Sequence, residues 1–202
     1  MKEANQKSLN TLFPVFLKAE ELKILLVGAG PVGIEKATAI LSNAPNCRLT
    51  VVAELILEEM WQLKEAYPQI NIAQRRFKEE DLNAAEMLFL AINNIDLSRK
   101  IKDLANSKKI LVNVADTPDL CDFYLSSIVT KGDLKIAIST NGKSPTMAKR
   151  LKEMLFDIIP DDFQSLLSNM QLIRSKLKGD FSYKVTRLNE ITADILKGDE
   201  KK

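Results

Sequence analysis

The chain contains no histidine and only two cysteines, Cys47 and Cys121, among its 202 residues. Without histidine, Ser-His-Asp and Cys-His catalysis, histidine-ligated zinc and a histidine general base are all excluded. The two cysteines match no CxxC or metal-finger spacing, so we expect reduced thiols in a cytoplasmic protein. Cys121 is interpreted as a buried, inert thiol. Any proton chemistry is therefore left to carboxylates, lysines, tyrosines and the backbone.

Long apolar runs and a strong excess of one charge are also missing. No apolar run approaches the roughly 20 residues that cross a bilayer, and the N-terminal segment is too polar for a secretory signal. The net charge of +2 is too small to argue for nucleic acid as a partner. We therefore expect neither a membrane nor a nucleic-acid partner for this globular composition.

The chain does contain a glycine-rich turn between an apolar run and helix-compatible sequence, in VGAGPVG at residues 27–33. Gly28 allows a sharp turn, Gly30 leaves no Cβ beside a bound pyrophosphate, and Gly33 lets the next helix lie close to the sheet. A helix N-terminus also offers N–H groups and partial positive charge to phosphates. The pattern predicts a dinucleotide site, and its alternative is a purely structural turn.

Strands and helices are predicted to alternate over the first 120 residues or so. The strands are expected at residues 24–27, 48–53, 70–77, 86–92 and 109–115, and the helices at 32–41, 55–67 and 96–107. Such alternation predicts a doubly wound parallel sheet, in which ligands bind at the carboxyl ends of the strands. Gly28, Glu54, Asn93 and Asp116 are expected at those ends.

The pattern changes after Pro118. Gly132-Asp133 is predicted to join two strands, at 124–131 and 134–140, in a hairpin. Ser144 and Pro145 are a favourable N-cap and first helical position, and helices are predicted at 146–159, 161–177 and 181–196. The fold class is thus α/β, with a Rossmann-type nucleotide-binding domain at 1–122, a hairpin with a substrate loop at 123–145, and a small helical C-terminal domain at 146–202.

Glu54 has two interpretations. It lies about 20 residues beyond Gly33, where a dinucleotide site places the carboxylate that holds the adenosine ribose. It is equally the expected first acidic residue of the next helix, where a negative charge suits the helix dipole. No arginine or lysine follows within several positions to bind a 2′-phosphate, which favours NAD over NADP.

Two further segments carry possible chemistry. Asp116 follows a buried strand and is a candidate general base, and the alternative is a turn-forming aspartate before Thr-Pro. The loop at residues 139–144 combines hydroxyls, a glycine and a lysine at a helix start, which suits an anion, with basic side chains along the following helix. Its alternative is a well-capped helix with a solvated basic face.

Several motifs together resemble the precorrin-2 dehydrogenase family of siroheme synthesis, in its stand-alone bacterial form. They are FPVFL at 13–17, VGAGPVG at 27–33 with Lys36, LTVVA at 49–53, NVAD at 113–116 with Phe123, and ISTNGKSP at 138–145. The last two are the most specific, because a generic dinucleotide protein has no reason to carry them.

This resemblance implies NAD-dependent oxidation of precorrin-2 to sirohydrochlorin, with iron insertion at the same site in some members, by a homodimer joined through the segment after the nucleotide domain. It implies that Asp116 acts as the base. The other positions implied to contact ligands are Pro31 and Val32 at the pyrophosphate, Glu54 and Leu55 at the ribose, Asn93 near the nicotinamide, and Ser139, Thr140, Asn141, Gly142, Lys143 and Ser144 at the tetrapyrrole.

One departure and two alternatives stay open. The family commonly has threonine where this chain has Ile92, which affects the expected contact on the nicotinamide side. A non-catalytic NAD-sensing module of the potassium-channel regulatory type would share the glycine turn and the acidic strand end. A Rossmann oxidoreductase for another small acid would share them too, but would leave the basic loop unexplained.

Overall fold

The structure is a computed structural model that describes residues 10–193. The chain divides into two compact units, the first ending at Leu125 and the second beginning at Ser126. The first unit contains β1 (Lys23–Ala29), α1 (Pro31–Asn43), β2 (Arg48–Ile56), α2 (Glu58–Ala66), β3 (Asn71–Gln74), β4 (Met87–Leu90), α3 (Ile95–Ser107) and β5 (Leu111–Val114). Short 3-10 helices lie at Ala19–Glu21, Glu79–Ala84 and Pro118–Leu120.

The five strands of the first unit form one parallel sheet in the order β3-β2-β1-β4-β5. The chain places β2 and β3 on one side of β1 and then β4 and β5 on the other side. The strand order therefore reverses between β1 and β4, and an open parallel sheet binds its ligands at the carboxyl end of that position. The predicted doubly wound, Rossmann-type sheet is confirmed.

The sheet is buried on both faces because successive residues of β1 point to opposite sides. Ile24 and Leu26 belong to a core shared with α1 and α2, whereas Leu25 and Val27 belong to a core shared with α3. Each large apolar side chain buried in this way contributes roughly 1.5–3 kcal/mol to stability. Both layers of helix are thus fixed to one central strand, whose end carries the glycine turn.

The second strand is longer, and the second helix shorter, than the sequence predicts. Val27 pairs with Val52, and the next pair is Ala29 with Ile56. Between these two pairs β1 has one residue and β2 has three, so β2 bulges there before pairing resumes. The helix predicted at 55–67 is therefore wrong at its start. Glu54 lies in this bulge, inside β2, and is not the first acidic residue of α2.

The second unit begins with the predicted hairpin. It contains β6 (Ser127–Lys131), β7 (Leu134–Ile138), α4 (Pro145–Ile158), α5 (Phe163–Lys176) and α6 (Phe181–Thr192). Gly132 has a φ of +58° in the two-residue turn, which a glycine adopts without strain. The predicted last residue of α6, Leu196, lies outside the described residues. Across residues 10–193, no helix has the length and apolar character needed to cross a membrane.

Side chains from α4, α5 and the segment between them hold the tip of the hairpin. The Gln164 side chain accepts from the Asp133 N–H at 2.7 Å and donates to the Asp133 carboxylate at 2.9 Å. Lys131 pairs with Asp161 and lies over the Phe156 ring, 3.9 Å from its centroid. The hairpin is thus an integral part of the helical unit, since two strands alone would be only marginally stable.

We predict that Gly33→Ala destabilises the first unit by about 1–3 kcal/mol, the typical cost of overpacking. A Cβ at this position would lie 2.2 Å from the carbonyl oxygen of Gly28, and a backbone atom in a packed turn has little room to move. Urea unfolding followed by the fluorescence of Trp61, the one tryptophan, measures the effect.

Gly30→Ala is the matched control, because nothing lies within 4 Å of a Cβ built there. Its unfolding midpoint is expected to stay near that of the unmodified protein. Equal midpoints for both variants would show that the close approach of helix and strand at Gly33 does not matter for stability.

Candidate functional site

The glycine turn is built as its sequence predicts. Gly28 has a φ of +107°, and a Cβ there would lie 2.2 Å from the carbonyl oxygen of Ala91 in the neighbouring chain segment. Gly33 sits in the first turn of α1 against the Gly28 backbone. Together they bring the start of α1 directly over the end of β1, where the strand order reverses.

The residues at this helix start fit a nucleotide pyrophosphate. Gly30 is the N-cap of α1 and has no side chain to accept from the first-turn N–H groups, and the space where its Cβ would lie is open. Pro31 occupies the first helical position, so the backbone N–H groups of Val32 and Gly33 are the donors that remain beside it. The site combines these donors with the positive end of the helix dipole.

The ends of β1, β4 and β5 lie side by side. Ala91 donates to the carbonyl of Val27 at 2.8 Å, and Ala115 donates to the carbonyl of Leu90 at 2.9 Å. These bonds place the exposed Asn93 and Asp116 after neighbouring strands, on one side of the glycine turn. On the other side of the turn, β2 brings Glu54.

Glu54 lies beside an arginine that is 22 residues away in the chain. The Arg76 Nε atom donates to Glu54 Oε1 at 2.7 Å, and the Gln74 side chain donates to the Glu54 carbonyl at 3.4 Å. The pairing raises the pKa of the Arg76 guanidinium above its usual value, chiefly through the hydrogen bond to Glu54. The sequence correctly shows no arginine or lysine in the several positions that follow Glu54, but Arg76 reaches Glu54 from a neighbouring strand, which the sequence did not predict. Leu55 is 83% exposed in the same bulge.

Asp116 occupies a left-handed backbone conformation, with a φ of +56°. Aspartate and asparagine tolerate this region better than other non-glycine residues. The tight turn continues through Thr117, whose N–H donates to the Val114 carbonyl at 3.4 Å and whose hydroxyl donates to the Ala115 carbonyl at 3.2 Å. Asp116 therefore lies in an exposed, hydrogen-bonded turn, and among residues 10–193 no hydrogen bond to its carboxylate is formed.

Cys121 ties the far end of this loop back to β5. Its sulfur accepts from the Val114 N–H at 3.2 Å and lies within hydrogen-bonding distance of the carbonyls of Val114 and Thr117, at 3.2 and 3.4 Å. Burial raises the pKa of the Cys121 thiol above its usual value, so the protonated form that can donate to a carbonyl is favoured. Cys121 thus holds the loop against β5 through hydrogen bonds, a role that neither the spacing of the cysteines nor the composition predicted.

Asp122 fastens the same segment further along. Its backbone N–H donates to the Val112 carbonyl at 2.8 Å, and its carboxylate accepts from the Val112 N–H at 2.8 Å and from Lys102. The Lys102 side chain is only 10% exposed, so this ion pair is shielded from water on the lysine side. Phe123 then packs edge-to-face on Phe89, with ring centroids 5.4 Å apart.

The loop at 139–144 lies in the second unit and is closed by its own hydroxyls. The Thr140 hydroxyl accepts from the Ser144 N–H at 3.2 Å and donates to the Ser144 carbonyl at 3.0 Å. Ser144 caps α4 by accepting from the Met147 N–H at 3.2 Å, as predicted. Asn141 and Gly142 both have left-handed backbones, with φ of +53° and +72°. The predicted helix cap is therefore confirmed, and exposed basic residues of α4 follow it: Lys149, Arg150 and Lys152.

A family model described as "Putative NAD(P)-binding" matches residues 15–127, more than half of the chain. The chain belongs to this NAD(P)-binding family. A second model, described as the central part of a sirohaem biosynthesis protein, matches residues 131–155, which include the hairpin and the loop at 139–144. The first model confirms the predicted cofactor class, and the second agrees with the predicted resemblance to the siroheme-synthesis family.

Two curated relatives agree. A siroheme synthase of Thioalkalivibrio sulfidiphilus is 32% identical over 166 residues, which are 82% of this chain and 33% of the relative. The siroheme biosynthesis protein met8 of Schizosaccharomyces pombe is 35% identical over 163 residues, which are 80% of this chain and 61% of the relative. This NAD(P)-binding chain thus spans about a third of the first relative and under two thirds of the second.

A solved structure named SirC, precorrin-2 dehydrogenase, superposes with a TM-score of 0.71 at 24% identity, covering 94% of this chain and 93% of that one. The similarity confirms the fold, from the parallel sheet through the hairpin to the C-terminal helices.

We predict that Gly30→Ala lowers the affinity for NAD at least about tenfold without changing stability. The added methyl group would enter the open space at the helix N-terminus, where backbone must approach the pyrophosphate closely. Isothermal titration calorimetry with NAD measures this, and unaltered binding would contradict the fit of the site.

We predict that Asp122→Asn lowers the free energy of unfolding by about 1–3 kcal/mol, because the buried Lys102 loses its charged partner while an acceptor for Val112 remains. In a Lys102→Met background the same change should cost less, since the two residues act as a pair. Urea unfolding of the four proteins gives the coupling.

The control is Glu21→Gln, which removes an ion pair with Lys18 whose two side chains are 69% and 82% exposed. That change is expected to alter stability little, because water screens such pairs. If Asp122→Asn lowered the free energy of unfolding no more than Glu21→Gln does, the pairing of Asp122 with Lys102 would not stabilise the loop.

Proposed function

We propose that this protein oxidises precorrin-2 to sirohydrochlorin with NAD in siroheme biosynthesis. The observation that supports this most is the order of the candidate groups along one sheet edge: Glu54 on β2, the glycine turn on β1, Asn93 after β4 and Asp116 after β5. A dinucleotide bound across the glycine turn would have the ribose-binding carboxylate of Glu54 on one side and the proposed base, Asp116, on the other. The names of the relatives supply the substrate class.

The residues divide the work as follows. NAD, when bound, supplies the hydride acceptor. The first-turn N–H groups of α1 hold the pyrophosphate, and Glu54 accepts hydrogen bonds from the adenosine ribose. Asp116 takes a proton from the substrate at its carboxylate oxygen, and the hydrogen bonds of Thr117, Cys121 and Asp122 hold the backbone of the loop that carries it. Position within the site is the protein's main contribution.

The loop at 139–144 is proposed to bind the substrate's carboxylates. Precorrin-2 carries several of them, and the loop offers hydroxyl O–H groups and the N-terminus of α4, followed by exposed basic side chains. Ser139 and Ser144 each accept a backbone hydrogen bond, and neither hydroxyl donates to another residue of the described range 10–193.

We further propose a cytoplasmic homodimer joined through the second unit. Its helices leave large apolar side chains exposed, among them Met147, Met154, Phe156, Ile158 and Phe181. Exposed apolar surface of this kind is typical of interfaces. Iron insertion stays an expectation from the family resemblance, to be assayed with sirohydrochlorin and ferrous iron.

We predict that Asp116→Asn lowers kcat for precorrin-2 oxidation by about a hundredfold or more, the usual contribution of a general base. Asparagine retains the left-handed backbone that this position requires, so the loop should stay intact. Anaerobic assays that follow NADH at 340 nm and the sirohydrochlorin spectrum measure the change, alongside calorimetric NAD affinity.

Asp119→Asn is the matched control, since Asp119 is exposed on the same loop and has no proposed role. It should retain full turnover. A wild-type protein that binds NAD but never oxidises precorrin-2 would favour the NAD-sensing alternative, and full activity of Asp116→Asn would remove Asp116 from the reaction.

A further inference from the structure

We infer that Arg76 determines nucleotide specificity, by donating hydrogen bonds to the 2′-phosphate of NADP so that the site binds NADP as well as NAD. The inference rests on the proposed nucleotide-dependent function and extends it, since the sequence alone favoured NAD. It arises from the contact between Arg76 and Glu54, which brings a guanidinium to the ribose carboxylate from a neighbouring strand.

The fold creates this contact. Glu54 lies in the bulge of β2, and Arg76 follows the end of β3, the strand paired with β2 through Ala53 and Gln74. Carboxyl ends of neighbouring parallel strands are about 5 Å apart, so the two side chains share one position at the edge of the sheet. The adenosine ribose is expected at this position, since a carboxylate at the end of the second strand is its usual partner.

Arg76 is the cation there that can change partner. Its guanidinium meets Glu54 only through Nε, and within residues 10–193 its Nη1 and Nη2 atoms make no hydrogen bond. Its side chain is 83% exposed, so water screens the pair and little opposes its release. Arg75, by contrast, is held by two hydrogen bonds to Asp81, of 2.8 and 2.6 Å, and its guanidinium lowers the pKa of that carboxyl.

The two nucleotides then use the pair differently. With NAD, Glu54 accepts the ribose hydroxyls while Arg76 stays beside it. With NADP, the doubly charged 2′-phosphate would be repelled by Glu54 alone, but the planar guanidinium binds phosphate oxygens through two parallel N–H groups. Arg76 thereby offsets the repulsion, and the site discriminates weakly between the two nucleotides.

The test is the ratio of dissociation constants for NADP and NAD, measured by calorimetry on the full chain. We expect the unmodified protein to bind NADP within about tenfold of NAD. Arg76→Gln should raise the ratio at least about tenfold by weakening NADP, and Glu54→Gln should lower it by weakening NAD and relieving the repulsion. Arg76→Lys retains the charge without the planar fork, so its ratio should lie between those of the unmodified protein and Arg76→Gln.

Arg187→Gln is the matched control, because Arg187 donates to Glu190 at the same 2.7 Å in an exposed pair of the second unit. It should leave both constants unchanged. An unmodified protein that does not bind NADP, or an Arg76→Gln variant with an unchanged ratio, would overturn the inference. Neither result would touch the proposed oxidation, which NADH formation from precorrin-2 and NAD decides independently.

Discussion

The close approach of Gly33 to the carbonyl of Gly28 is the contact on which the rest of the site depends. It sets the start of α1 over the end of β1 at a distance that no side chain permits. The same turn packs against Ala91, so it also fixes the end of β4. One tight contact thus locates the helix N-terminus at the point where the sheet reverses its strand order, which is where an open α/β sheet can hold an elongated ligand.

The two sides of the glycine turn differ along this edge of the sheet. On the β2 side, a bulge and the end of β3 place Glu54 and Arg76 together, and both side chains are exposed. On the β5 side, Asp116 projects from a turn that Cys121 and Asp122 fasten to the strand through side-chain hydrogen bonds. The first side can adjust to its ligand because its ion pair is exposed. On the second side, hydrogen bonds fix the backbone of the loop that carries Asp116.

Local patterns predicted most of this framework. The spacing of the glycines predicted the turn, and the Ser144-Pro145 pair predicted the start of α4, because these features depend on a few consecutive residues. The bulge in β2 was not predicted, since Leu55 and Ile56 fit an amphipathic helix equally well. The partners of Glu54 and Lys102 were beyond sequence reasoning too, because they lie 22 and 20 residues away and meet only through strand pairing and loop closure.

A crystal structure of the full chain with NAD tests the central claim most directly. The account predicts the pyrophosphate at the N–H groups that begin α1, the adenosine ribose at Glu54 and the nicotinamide on the side of β4 and β5, towards Asp116. A nucleotide bound away from the glycine turn, or with its nicotinamide towards β3, would contradict it.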